Sequence, residues 1–251
     1  MENKKLEQEI SKLQEANKGI RLTEHPVIKT ILNGLNMIPV IDSGVGTIGT
    51  GVDTYVNNYL KVEQEKRLVQ VCEIIISDNN ITTDMVQGVK EIMSFAKMFD
   101  VVRKLITNDK LNFIVKLYKN LIIQDERNYN EFEEYLRRLD ELSFRELEIL
   151  YELDTLDLII EDLRIKDQDE NGSFDEEYYH SHVKEIESKW KEFQSIVEQK
   201  FKIDSLDLEG YMLGISRTGF CVKFNAFHMP IKTNSIYAVT KYYRNFANMI
   251  Y

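Results

Sequence analysis

The stretch IDSLDLEGYMLGISRTGFCVKF, residues 203–224, holds the change from helix to strand on which the fold class turns. The stretch reads as a capped helix with Asp204, Asp207 and Glu209 at its start, ended by a Gly-containing stop. A strand is expected to begin near Phe220. Further along, NAFHMPIKTN (225–234) is a loop, SIYAVT (235–240) a second strand, and KYYRNFANMI (241–250) a closing helix. Helix, strand, loop and strand after earlier helices is the order of a winged helix. The expected fold is therefore mainly α: an N-terminal helical bundle followed by a winged-helix-like α+β C-terminal domain with a small β-hairpin.

Towards the N-terminus the chain is poor in helix breakers. Its three prolines are Pro26, Pro39 and Pro230, so the long interval between the last two suits helices. Apolar spacing agrees: Leu6, Ile10 and Leu13 mark a short charged helix, and Val52, Tyr55, Val56 and Tyr59 open a longer one running to Ile76. After the turn SDNNITTD (77–84), the residues Met85, Val89, Ile92, Met93 and Ala96 predict one helical stripe. Leu111, Ile114, Val115, Tyr118 and Ile122 predict another, and Phe132, Tyr135, Leu136 and Leu139 a third. Ser143 lies three residues before Glu146, the spacing of a capping box. The cleanest stripe is Val183, Ile186, Trp190, Phe193, Val197 and Phe201, which reads Trp190 as a core anchor. Two domains are expected, residues 1–140 with a Gly-rich apolar segment at 27–60, and residues 141–251 with an acidic insertion at 161–187.

The segment VIDSGVGTIGTGVD (40–53) contains a G-x-G-x-x-G at Gly44, Gly46 and Gly49. A dinucleotide fold needs that turn between strand and helix and then further alternating units. Here the period downstream is helical for over a hundred residues, and Asp42 would repel a pyrophosphate. Ser43, Gly44, Gly46, Thr47, Thr50 and Gly51 are read instead as a small-residue face or hinge where another helix approaches closely.

A net charge of −10 argues against general attraction to nucleic acid or to an anionic membrane. The charge is uneven: residues 131–187 carry 6 Lys/Arg against 20 Asp/Glu, whereas residues 205–251 carry 5 against 2. Cys72 and Cys221 sit in apolar settings without C-x-x-C spacing and read as buried thiols in a reducing compartment. The N-terminus is charged from its second residue, unlike a secretory signal, and the charge-free runs 30–41 and 43–52 are shorter than the roughly 20 residues of a spanning helix. A cytoplasmic location is expected; membrane contact by residues 27–60 after a conformational change is the alternative.

DQDENGSFDEEY (167–178) matches much of an EF-hand loop. Asp167, Asp169 and Asn171 hold the first three ligand positions and Asp175 the ninth, which makes calcium the one cofactor suggested. Tyr178 stands where a bidentate Glu should close the shell, so the competing reading is an acidic turn between solvated helices. His180 and His182 point to different helix faces and make poor joint ligands. No Ser/His/Asp or Cys/His set, zinc-protease motif or Walker loop occurs, and no catalytic residues are expected.

The C-terminal part resembles bacterial helical proteins of the abortive-infection, phage-defence type. The resemblance rests on the capped helix of Ser143, Glu146, Ile149 and Leu150, on Leu213 and Gly219 at the end of the recognition-like helix, and on Tyr237, Val239 and Thr240 before the final helix. It covers at most residues 143–251, and the acidic insertion departs from the compact version. The resemblance implies a non-catalytic interaction or sensor protein in bacterial antiviral defence, acting through a protein partner or self-association. The alternative is a winged-helix DNA-binding regulator, with Arg217, Lys223, Lys232, Lys241 and Arg244 as contacts. Asp204, Asp207 and Glu209 at the start of its recognition helix oppose phosphate there. A calcium-responsive or membrane-acting effector is the second alternative.

Overall fold

Ser143 ends one helix run and starts the next. Its side chain accepts from the Glu146 backbone N–H at 3.2 Å while Glu146 accepts from the Ser143 N–H at 2.7 Å, the reciprocal capping box that the spacing predicts. The computed structural model describes residues 24–36, 51–156, 176–224 and 236–251. Among them it is mainly helical: α1 Pro26–Asn36, α2 Gly51–Ile76, α3 Thr83–Val86, α4 Val89–Lys104, α5 Leu111–Ile123, α6 Tyr129–Glu141, α7 Phe144–Thr155, α8 Glu176–Phe201, α9 Ser205–Ser216, and α10 Lys241–Ile250. One small sheet pairs β1 Cys221–Phe224 with β2 Ile236–Val239. None of the described helices is long and apolar enough to cross a membrane. The chain divides into two compact units, Met1–Arg137 and Arg138–Tyr251, and the division falls within α6.

In the first unit α1 packs on α3 and α4, and α2 packs on α4 and α5. Val27, Ile28 and Ile31 are buried, so the described start of the 27–60 segment contributes core. Gly34 permits the close approach of α1 to α4, because a Cβ there would lie 2.1 Å from Ile92 Cδ1. The centre is aromatic: Phe95 meets Tyr118 edge-on at 5.7 Å, and Tyr118 meets Phe132 at 6.3 Å. Each such buried ring contributes roughly 1.5–3 kcal/mol of hydrophobic free energy.

The stripe expected from Met85 through Ala96 requires correction. The chain forms two helices, α3 and α4, separated at Gly88, and α4 buries Glu91, Ile92, Ser94, Phe95, Met98 and Val102. Val89 and Met93 face solvent. Gly88 is the N-cap of α4, so Met85 belongs to a separate helix, and of the expected stripe within α4 Ile92 is buried while Val89 and Met93 lie outside the core.

In the second unit β1 and β2 are antiparallel, with Cys221 opposite Val239 and Lys223 opposite Tyr237. Trp190 is 5% exposed and packs against Phe193 and Tyr237 with ring centroids 5.1 and 6.0 Å away, which is the core role expected of it. Thr240 joins the sheet to the closing helix: its hydroxyl donates to Gly219 O at 2.8 Å and accepts from the Tyr243 N–H at 3.2 Å, capping α10. Phe220 then stacks on Phe246 at 4.6 Å. The elements around α9 follow from these contacts: α7 and α8 pack on it and on β2, and β1 runs off its C-terminal end.

Candidate functional site

Helix α9 is built from both ends by local hydrogen bonds. Lys202, at φ 56°, turns the chain out of α8 through the left-handed region. Asp204 then caps the new helix, its carboxylate accepting from the Leu206 and Asp207 N–H groups at 2.9 Å each. At the other end the Thr218 hydroxyl donates to Ile215 O at 2.7 Å, and Gly219 at φ 77° supplies the left-handed stop that a side chain would strain.

Between those ends Leu208, Met212 and Ile215 form the buried face. The opposite face is also apolar. Leu206 is 80% exposed and Leu213 50% exposed, seven residues apart and therefore on one side of the helix. Gly210 lies between them, exposed, with open space within 4 Å of where a Cβ would stand. Arg217 extends the same line past the last turn and is exposed, and Asp207 is exposed in the first turn. An apolar stripe on each side of one short helix is more than one core can bury.

The cations proposed from sequence for nucleic acid divide into three groups. Arg217 and Lys241 are exposed. Lys223 reaches Glu209 at 3.4 Å, and Arg244 Nε donates to Asp154 at 2.9 Å, so the unit's own carboxylates engage both. Lys232 lies outside the described residues. Glu209 also accepts from the Tyr237 hydroxyl at 2.9 Å; burial pushes that phenol's pKa up, and Glu209 adds to the shift. Of the three acids at the start of α9, Asp204 is the cap, Glu209 is engaged, and Asp207 faces solvent.

The cation-loop residues Asp167, Asp169, Asn171 and Asp175 lie outside the described residues, as does the glycine-rich stretch at 40–50. Among the described residues no group of three or more His, Cys, Asp or Glu is placed to hold a metal ion. Both cysteines are buried, and burial pushes each thiol up to about 12, with Glu73 adding to the shift at Cys72. Such thiols stay protonated and unreactive at neutral pH.

Two polar clusters in the first unit have no counterpart in the sequence reading. Glu91 is 7% exposed and accepts from Arg127 and from the Tyr129 hydroxyl, while the Tyr118 hydroxyl donates to Glu91 O at 3.4 Å. Burial pushes the Glu91 carboxyl up, but the hydrogen bonds from Tyr129, its own backbone and Arg127, together with the Arg127 charge, outweigh that and hold it below the usual carboxylate range. Buried Arg67 donates to Asn108 Oδ1 at 3.2 Å and to the carbonyls of Arg103 and Ile106 at 3.3 Å each, satisfying the C-terminal end of α4. Both clusters hold helix ends. Their partners lie 27 to 41 residues away in sequence, beyond the reach of local spacing. The exposed face of α9 did carry a local signal, since Leu206 and Leu213 alternate around the helix with Leu208, Met212 and Ile215.

No protein-family model, curated protein or solved structure matches this chain in comparison.

Proposed function

We propose that the chain is a non-catalytic interaction or sensor protein whose C-terminal unit, a winged-helix-like arrangement of α7, α8, α9, the β1–β2 hairpin and α10, contacts protein through the outer face of α9. The observation that carries this reading is the line Leu206, Gly210, Leu213 on the solvent-exposed side of α9. A helix that reads bases needs hydrogen-bonding and cationic side chains on that face, with phosphate contacts around it. This one offers apolar contact instead, and Lys223 and Arg244 are held by Glu209 and Asp154. Apolar side chains flanked by single charges suit a protein interface, where affinity comes from excluded water and a few anchors. The resemblance to abortive-infection proteins adds a setting, a cytoplasmic bacterial defence component that works by association.

The test is fluorescence anisotropy of purified full-length protein with a mixed-sequence labelled duplex, at low and at physiological salt. The expected result is no saturable binding at either. Tight binding that falls steeply with salt would make α9 a nucleic-acid reader and overturn the proposal.

A further inference from the structure

The outer face of α9 has features that select one kind of partner, a second copy of the same helix running antiparallel. Its line of residues, Leu206, Gly210, Leu213 and Arg217, is symmetric in spacing, so reversing the helix sets each large side chain against a different residue of the same line. With a two-fold axis crossing the helix between Tyr211 and Met212, Leu213 of one copy falls over Gly210 of the other, and the same contact repeats across the axis. Gly210 has the room for this, since open space surrounds the position its Cβ would take. A leucine set over a glycine brings helix axes closer than the usual 8–10 Å. The same register places Leu206 opposite the aliphatic stem of the partner copy's Arg217.

Charge agrees with that register. Asp207 is exposed near the start of α9 and Arg217 is exposed at its end. In a parallel pair like charges would meet. In the antiparallel pair each Arg217 lies beside the other copy's Asp207 and near the positive end of the other helix dipole, so the acid is what makes the placement favourable. Glu209 introduces no opposing charge, because Lys223 and Tyr237 of its own chain engage it.

We propose that two copies of this chain associate through an antiparallel α9–α9 contact, with Leu213 packed over Gly210 and Arg217 paired with Asp207 across the two-fold axis. The inference rests on α9 being a protein-contact surface. A 12-residue helix is about 18 Å long, which buries less than the roughly 1,200 Å² of a standard stable interface. The association is accordingly weak, with a dissociation constant on the order of tens of micromolar.

Sedimentation equilibrium of the full chain from about 5 to about 500 µM covers that range. The wild type is expected to fit a monomer–dimer equilibrium. Leu213→Glu weakens it by about tenfold or more, and Arg217→Asp by about fivefold, with circular dichroism unchanged because both sites are exposed. The double variant Asp207→Arg with Arg217→Asp recovers association to within about twofold of wild type, since it restores the pair with its signs exchanged. A wild type that stays monomeric throughout overturns the pairing, as does a dimer indifferent to Leu213→Glu or an exchange that recovers nothing. Monomeric protein that also leaves duplex DNA unbound removes this pairing alone, whereas salt-sensitive DNA binding removes the protein-contact reading beneath it.

Discussion

Helices α4 and α9 each turn two large apolar side chains to solvent, Val89 and Met93 on one, Leu206 and Leu213 on the other. On α4 the reason lies within the first unit. Burying Glu91 beside Arg127 and Tyr129 fixes the rotation of the helix, and with Phe95, Met98 and Val102 on that same inward side, Val89 and Met93 are left outside. On α9 the inward side is complete with Leu208, Met212 and Ile215, and no buried charge dictates the rotation. Its two outward leucines frame a glycine and end at an arginine. Exposure of an apolar side chain is ordinary by itself; the difference is that on α4 it follows from the helix's own packing and on α9 it does not, which is why α9 is the helix proposed as a contact surface.

The largest effect should come from the inward side of α9. Ile215→Ala removes a fully buried side chain and is expected to cost about 4 kcal/mol in denaturant unfolding, while Leu206→Ala on the outward side changes stability by less than about 0.5 kcal/mol. Equal costs would mean that both sides are core and would erase the contrast with α4. Next is the buried charge that sets α4. Arg127→Met leaves Glu91 without its cation and is expected to cost about 3 kcal/mol, the low end for a pair in which Arg127 keeps some exposure.

The same carboxyl gives a pH signature. Its pKa is lower folded than unfolded, so it contributes stability that is fully present above the unfolded value near 4.5 and is lost as pH falls through the folded value. Acid titration of unfolding should therefore show a steeper loss below about pH 4.5 in the wild type than in Glu91→Gln. Parallel curves would contradict the role given to Glu91. Smaller again is the cap: Asp204→Ala frees the Leu206 and Asp207 N–H groups and should cost about 1 kcal/mol, read from the unfolding midpoint.

Much of the second unit was legible in its sequence because its signals are local. Ser143 and Glu146 find each other across three residues, the helix from Ser205 is capped at its start, and the strand expected near Phe220 begins at Cys221, whereas Thr240, read as the end of the second strand, caps α10 instead. The first unit was less legible. Periodicity placed α5 and α6 correctly through Tyr118 and Phe132, yet it misread α4, because a buried glutamate looks like a surface residue until Arg127 and Tyr129 are brought to it by the fold. The proposed contact face lay between these cases. Leu206 and Leu213 were plain in the sequence, but which of the two apolar sides of α9 faces outward depends on how α7, α8 and β1 pack on it.

Gly210→Ala tests the central claim most directly, because stability and association are expected to move in opposite directions. Alanine in place of an exposed mid-helix glycine should stabilise the chain by about 0.5–1 kcal/mol, since its methyl group meets nothing in the monomer. The same methyl group occupies the place where the partner copy's Leu213 packs, so self-association measured on the same samples should weaken severalfold. Higher stability together with weaker association is the predicted result. Higher stability with association unchanged or strengthened would show that the outer face of α9 is not the surface through which this protein makes its contacts.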